Sequence, residues 1–191
     1  MLRDPVTRAI SELNQFIRDR RLSLRMSLDD YLIGKGRDLI GESGVIERGK
    51  YYDQLRAYQE YFDPAQMLVL IYEEDVVHHP EAGLRKVCEF LGVDSSFEFL
   101  GMRERVGGAP PRSVLRINLG YYLPFLRTIA RHVRPVRRLM RRADGLLPAW
   151  KARPSDAVVR ELYRLYAEDN QRLFRLLQRR PPAAWQLDSR S

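Results

Sequence analysis

Apolar residues recur every three or four positions in several stretches of the chain, which is the pattern of helices with one buried face. Asp4 and Pro5 supply an N-cap and a first helical residue, so a helix is predicted over residues 5–20. Ser27 supplies a second cap, for a short helix that ends near Ile33. Further helices are predicted over residues 48–62, 80–91 and 155–180, with a glycine-rich loop over residues 34–47.

The segment "QMLVLIYEED" has a different pattern, a short and continuous apolar run. Such a run is typical of a strand buried on both faces, and the helix after it is predicted to end at Gly92. This strand and helix indicate an α/β layer. Because one strand cannot make a sheet, Met1 and Leu2 are interpreted as the end of a second strand.

Length and composition predict one soluble domain over residues 1–191. The 191 residues are 45% apolar and 30% charged, and no apolar run approaches the ~20 residues that span a bilayer. The N-terminus lacks the pattern of a signal peptide, and a lone cysteine, Cys88, excludes an internal disulfide. A cytoplasmic location is therefore expected.

The net charge of +8 points to anionic ligands or surfaces, since all but four of the 33 basic residues are arginine. The most basic stretch, residues 131–142, has three interpretations: a solvated amphipathic helix, a surface for an anionic or glycan acceptor, and a contact with an anionic membrane surface. Nucleic-acid binding is not predicted, because no recognised motif supports it.

Arg3 and Ser11 are the candidate anion-binding residues. Arg3 stands between the inferred strand end and a helix N-terminus, where open α/β sheets bind ligands and where anions are favoured. Ser11 follows Asp4 by two helical turns, so its hydroxyl is aimed back toward Arg3. Together they form a compact phosphate site; the alternative is a plain helix start with Arg3 solvated and Ser11 incidental.

The other polar candidates favour structural roles. His78 and His79 have no second cluster at metal-ligand spacing, so no metal site is predicted. The acidic residues 73–75 suit acid–base chemistry or, preferably, a surface or capping role. Cys88 is assigned to the core, and Asp169, within an apolar stripe, is expected to pair with an arginine or a backbone amide.

Three segments resemble PAPS-dependent sulfotransferases, of the bacterial and heparan-sulfate-type branch, in the correct order. "LRDPVTRAISEL" is similar to the 3′-phosphate-binding segment, approximately R-[DN]-P-x-x-R-A-x-S. "GKYYDQLRAYQEYFDPAQMLVLIYEEDVVHHPEAGLRKVCEFLGV" resembles the central helix, strand and helix, and "LYRLYAEDNQRLFRLLQRRPPAAW" resembles the closing helix and terminal tryptophan. The resemblance covers almost the whole chain.

The resemblance implies an α/β fold of the P-loop-NTPase type and transfer of a sulfuryl group from PAPS to a hydroxyl or amine, without a metal. The acceptor is a small molecule or a carbohydrate. By position, Arg3 grips the 3′-phosphate and Ser11 hydrogen-bonds to it. Arg112, in the loop "VGGAPPRS", is the basic candidate that closes the cofactor site; a solvated loop arginine is the alternative.

The glycine-rich phosphosulfate loop of that family is missing from the 191 residues, and so is its early catalytic acid or base. The chain is therefore predicted to be the C-terminal part of a sulfotransferase, mostly helical with one or two parallel strands and inactive alone, and no catalytic residue is assigned. Two alternatives stay open: a non-enzymatic remnant that binds a nucleotide or anion, and a basic helical protein associated with membranes or RNA.

Overall fold

The computed structural model describes residues 1–96, 117–118, 121–122 and 152–186. The chain divides into two compact units. The first unit comprises Met1–Ala9, Ile46–Arg105 and Asp156–Ser191, and the second comprises Ile10–Val45 and Val106–Ser155.

The described residues are mostly helical. The α-helices are α1 (Pro5–Arg18), α2 (Leu28–Leu32), α3 (Asp38–Gly41), α4 (Tyr51–Gln59), α5 (Pro80–Leu91) and α6 (Asp156–Leu176). Short 3₁₀ turns occupy Glu47–Gly49, Pro64–Gln66 and Ala183–Trp185, and a π-helix occupies Tyr72–His78. None of the described helices is long and apolar enough to cross a membrane.

The core of the first unit forms where α4 packs against α6. Its buried members are Tyr51, Ile71, Leu173, Phe174 and Trp185. Four members of the stripe predicted for α6 are buried (Leu162, Tyr166, Asp169 and Leu173), and the fifth, Leu176, is half-buried. The helical spacing of apolar residues along α6 therefore places its aromatic side chains around the sites described below.

The prediction of a complete strand in the first unit is wrong for the described residues. Met67 and Ile71 have extended backbone, but among the described residues this segment makes a single isolated parallel bridge, between Leu2 and Ile71. Leu2 donates to the Leu70 carbonyl at 2.8 Å, and its carbonyl accepts from the Tyr72 amide at 2.7 Å. A β-ladder needs a partner strand along its whole length, and among the described residues only Leu2 pairs with this segment. The predicted strand end at Met1 and Leu2 is likewise reduced to this single bridge at Leu2.

A π-helix follows the extended segment and packs against α5. The two elements touch at Gly83, where an added Cβ would lie 1.8 Å from the backbone oxygen of Asp75. At its far end α5 stops at Gly92, whose φ of 67° is left-handed, as the sequence predicts for a glycine cap. The acidic residues that follow Ile71 are thus held by a backbone-to-backbone contact.

In the second unit the predicted cap of α2 is confirmed. The Ser27 hydroxyl accepts from the Asp30 amide, and the Asp30 carboxylate accepts from the Ser27 amide, which is a reciprocal capping box. The loop predicted over residues 34–47 is wrong in part, because it contains α3 and the start of a 3₁₀ turn. α3 is short and its periodicity is too brief to read, with Ile40 as its buried residue.

Candidate functional site

The start of α1 is capped by Asp4, as the sequence predicts. The Asp4 carboxylate is buried; its Oδ1 accepts from the Val6 amide at 3.0 Å and its Oδ2 accepts from the Tyr163 hydroxyl at 2.9 Å. The Asp4 amide donates to Glu73 Oε1 at 3.0 Å. Because a carboxylate already accepts from the Val6 amide, an anion bound near this turn has to be held by side chains rather than by that amide.

Arg3 lies just before this cap, half-buried and on the face of an aromatic ring. Its guanidinium carbon is 5.3 Å from the centroid of the Tyr72 ring. Its carbonyl accepts from the Tyr51 hydroxyl at 2.9 Å, which fixes the backbone at this position. Within the described ranges no carboxylate lies within 4.0 Å of the Arg3 guanidinium, so its hydrogen-bonding capacity is available to a ligand.

The other two predicted site residues are Ser11 and Arg112. Ser11 is exposed on α1 and belongs to the second unit, and its hydroxyl makes no hydrogen bond to any residue that the structure describes. Arg112 lies outside the described residues, as does the basic stretch 131–142.

All three carboxylates of the acidic turn, Glu73 to Asp75, have hydrogen-bond or ion-pair partners within the fold, which differs from the surface or capping role that the sequence favours. Glu73 Oε2 accepts from the Trp185 indole at 2.9 Å, in addition to its bond with the Asp4 amide. Glu74 pairs with Arg179 at 2.6 Å.

Asp75 is the buried member of the acidic turn. It accepts from the Ile71 amide at 2.7 Å, is bonded by Lys86, and lies 3.9 Å from an Arg179 nitrogen. Burial acts to raise the pKa of Asp75, but the Lys86 and Ile71 hydrogen bonds and the two cationic charges outweigh it and lower this pKa below 3.8. Asp75 therefore stays ionised and serves the fold.

Asp169 on α6 has the opposite electrostatics. Burial raises its pKa above 3.8, although the Tyr52 and Tyr51 amides oppose the shift and the nearby Asp53 adds to it. The Tyr52 amide donates to Asp169 Oδ2 at 3.3 Å, which confirms the predicted pairing with a backbone amide. Asp169 thus ties the N-terminus of α4 to α6.

Two buried phenols line the region around Arg8, the second arginine of the "RDPVTRA" segment. Burial raises the pKa of Tyr51 and of Tyr166 to about 12, although the Arg8 charge opposes both shifts and Arg8 also hydrogen-bonds to Tyr166. The Tyr166 hydroxyl donates to the Ile46 carbonyl at 2.9 Å. Both phenols stay neutral near pH 7, so neither serves as a general base.

The described histidines and cysteine do not form a metal site. His78 and His79 are exposed, with ring centroids 6.4 Å apart, and Cys88 is half-buried. Within residues 1–96 and 152–186 no group of three histidine, cysteine or acidic side chains is arranged to hold a metal ion.

Sequence reasoning misses Asn170 and Tyr163, and it notes Trp185 only as part of the resemblance. The partner of Trp185, Glu73, is 112 positions away. Long-range pairing of this kind has no local sequence signal.

Residues 1–98, just over half of the chain, match a family model described as the sulfotransferase family. No curated protein matches the chain significantly. The matched range includes Arg3, Ser11 and the acidic turn, and it ends before Arg112 and α6.

Proposed function

Because the chain belongs to the sulfotransferase family, we propose that it serves sulfuryl transfer from PAPS to a hydroxyl or amine of an acceptor. Arg3 and Ser11 bind the 3′-phosphate of the nucleotide, and Arg112 contributes from the loop that follows the matched range. The observation that carries this proposal is the Arg3 guanidinium, which lies on Tyr72 without a carboxylate partner among the described residues.

The contacts of Arg3 suit a phosphate ligand. The guanidinium carbon lies 5.3 Å from the centroid of the Tyr72 ring, and its N–H groups have no carboxylate partner among the described residues, so they are available for bonds to phosphate oxygens. The Tyr51 hydroxyl holds the Arg3 carbonyl, so part of the ordering cost is met before the ligand arrives. Ser11 offers an exposed hydroxyl on α1 as a further donor.

The reaction itself requires groups that the 191 residues do not supply. When bound, PAPS supplies the sulfuryl group and leaves as adenosine 3′,5′-bisphosphate after in-line attack at sulfur. The glycine-rich phosphosulfate loop that would stabilise the charge developing there does not occur in the 191 residues. We therefore assign nucleotide binding to this chain and expect the phosphosulfate loop in a segment encoded upstream of Met1.

The exposure of residues 67–70 supports the proposal that this chain binds the nucleotide and that an upstream segment supplies the phosphosulfate loop. Met67, Leu68, Val69 and Leu70 form the apolar run, yet each of these side chains is half-exposed. Leu2 satisfies only the Leu70 carbonyl and the Tyr72 amide at one end of the run. Additional strands beside this segment would bury its side chains and complete its backbone hydrogen bonds.

Calorimetry with adenosine 3′,5′-bisphosphate tests the proposal on two chains: the 191 residues alone, and a chain extended upstream in frame to include the loop. We expect weak or undetectable binding by the first and clear binding by the second, lost in Arg3→Gln and weakened in Ser11→Ala. Arg21→Gln is the matched control, because Arg21 also lies over an aromatic ring, that of Phe16, at 5.2 Å.

Four results would contradict the proposal. An upstream stop codon with no loop in frame would exclude the divided site, and transfer of sulfate from PAPS by the 191 residues alone would show that the chain already holds a catalyst. Unchanged binding in Arg3→Gln would remove Arg3 from the phosphate site. Binding without transfer in the extended chain would favour a nucleotide-binding remnant.

A further inference from the structure

A cavity of about 760 Å³ lies between α6 and the chain that follows it, entirely within the first unit. All of its lining residues fall between Tyr163 and Gln186, so no residue of the Arg3 segment or of the acidic turn contributes to its wall. Its volume is in the range of sites that bind small organic molecules. The family match ends at residue 98 and assigns it no role.

Aromatic side chains form the apolar part of the wall. Phe174 and Trp185 meet edge to face, with ring centroids 5.1 Å apart. The Trp185 indole N–H donates to Glu73 and the Tyr163 hydroxyl donates to Asp4, so the polar ends of both residues are already bonded within the fold. Phe174 is 3% and Trp185 4% exposed, so each adds a small area of carbon surface to the apolar wall, which favours an apolar ligand body.

Asn170 provides an unsatisfied polar group in the same wall. Its side chain is only 8% exposed, and its Oδ1 is buried without a hydrogen-bond partner. A buried acceptor that goes unpaired carries a free-energy penalty, which a ligand hydroxyl or amine would relieve. The ligand should therefore carry a hydrogen-bond donor.

The charged residues of the wall are all arginine: Arg164, Arg175, Arg179 and Arg180. Arg179 is bonded to Glu74 at 2.6 Å, and Arg164 pairs with Glu161 at 3.3 Å. Arg175 and Arg180 have no carboxylate within 4.0 Å in the part of the chain that the structure describes. A cavity with four arginines and no acidic residue in its lining selects an anion.

We propose that this cavity is a second ligand site, which binds a hydroxylated aromatic anion. The ring packs against Phe174 and Trp185, the hydroxyl donates to Asn170 Oδ1, and the anionic group pairs with Arg175 and Arg180. The site is separate from the 3′-phosphate residues, so it stands or fails independently of the sulfuryl-transfer proposal.

Three matched probes test the three requirements by calorimetry on the 191-residue chain. The full probe is 6-hydroxynaphthalene-2-sulfonate, naphthalene-2-sulfonate lacks the donor, and 6-hydroxynaphthalene-2-sulfonamide lacks the charge. We expect the full probe to bind best. Loss of the hydroxyl should weaken binding by roughly threefold to tenfold, the usual range for one neutral hydrogen bond, and loss of the charge should weaken it by roughly tenfold or more.

Two variants assign these preferences to residues. Asn170→Leu should abolish the advantage of the hydroxyl while keeping that of the charge. The double variant Arg175→Gln and Arg180→Gln should abolish the advantage of the charge while keeping that of the hydroxyl. Arg160→Gln changes an exposed arginine of α6 outside the cavity and should leave both advantages unchanged. The proposal is overturned if the wild-type chain binds none of the probes or binds all three equally. It is also overturned if the folded variants keep the wild-type preferences; should Asn170→Leu not fold, the wild-type probe comparison decides.

Discussion

The acidic turn and Arg3 lie in the same unit, yet they differ in how the fold uses their charge. Each of Glu73, Glu74 and Asp75 has a cationic or N–H partner. The Arg3 guanidinium rests on Tyr72 and has no carboxylate partner among the described residues. Charged side chains that stabilise a fold are paired within it. A charged side chain without such a partner, here Arg3, is therefore the one available to bind a ligand.

The largest loss of stability is expected from a change that prevents the contact between the acidic turn and α5. Gly83→Ala places a Cβ 1.8 Å from the Asp75 carbonyl oxygen, where backbone meets backbone and no side chain can yield. We expect a loss of roughly 3 kcal/mol or more in the free energy of unfolding, measured by chemical denaturation. Gly41→Ala is the control, since its added Cβ meets nothing within 4 Å; an equal loss there would contradict the explanation.

Removing the buried charge of the turn should have the next largest effect. Asp75→Asn keeps the size of the side chain but loses its pairing with Lys86 and Arg179, at a cost of roughly 2 kcal/mol. Because folding lowers the pKa of Asp75, its contribution is full above the ordinary value of 3.8 and is lost as the pH falls below it.

The pH dependence separates this explanation from a general loss of packing. Denaturation between pH 7 and pH 2 should show a shallower acid limb for Asp75→Asn than for the wild type. Asp94→Asn is the control. The Ser96 hydrogen bonds also lower the pKa of Asp94, but Asp94, unlike Asp75, is exposed. Parallel acid limbs for wild type and Asp75→Asn would contradict the assigned role.

Glu73→Gln tests whether the turn is structural or catalytic. An amide can accept from only one of the two donors, the Asp4 amide and the Trp185 indole, so one buried bond is lost. We expect a destabilisation of about 1–3 kcal/mol and an unchanged affinity of the extended chain for adenosine 3′,5′-bisphosphate. Glu168→Gln, an exposed residue of α6, should cost nothing measurable. An unchanged stability for Glu73→Gln with abolished transfer in the extended chain would make Glu73 catalytic instead.

Arg3→Gln should have the smallest effect on stability. Its contact with Tyr72 is half-exposed, so the loss is expected to be about 0.5–1 kcal/mol, similar to that of Arg21→Gln. Denaturation of both variants measures it. A loss as large as that of Asp75→Asn would mean that the fold does use the Arg3 charge.

Local signals in the sequence predicted the helix boundaries well. Asp4, Ser27 and Gly92 each act through bonds to residues a few positions away, so the chain itself specifies these ends. The strand was mispredicted because an apolar run reports burial, whereas a ladder depends on a partner elsewhere in the chain. The π-helix after Ile71 has no recognised sequence pattern.

The candidate site was predictable only in part. Arg3 and Ser11 are candidates because they belong to one short segment that resembles a known family, and their role in phosphate binding stays a prediction. The ring beneath Arg3 comes from Tyr72, the partner of Asp4 is Glu73, and Trp185 joins them from the end of the chain. These contacts arise from tertiary packing, which a single sequence does not encode locally.

The most direct test of the central claim compares two nucleotides on the extended chain. The ratio of the Kd for adenosine 5′-monophosphate to that for adenosine 3′,5′-bisphosphate isolates the contribution of the 3′-phosphate. We expect the wild type and Arg21→Gln to prefer adenosine 3′,5′-bisphosphate by roughly tenfold or more, as for hydrogen bonds to a charged group. In Arg3→Gln the ratio of the two Kd values should be near one. A ratio in Arg3→Gln equal to that of the wild type would contradict it.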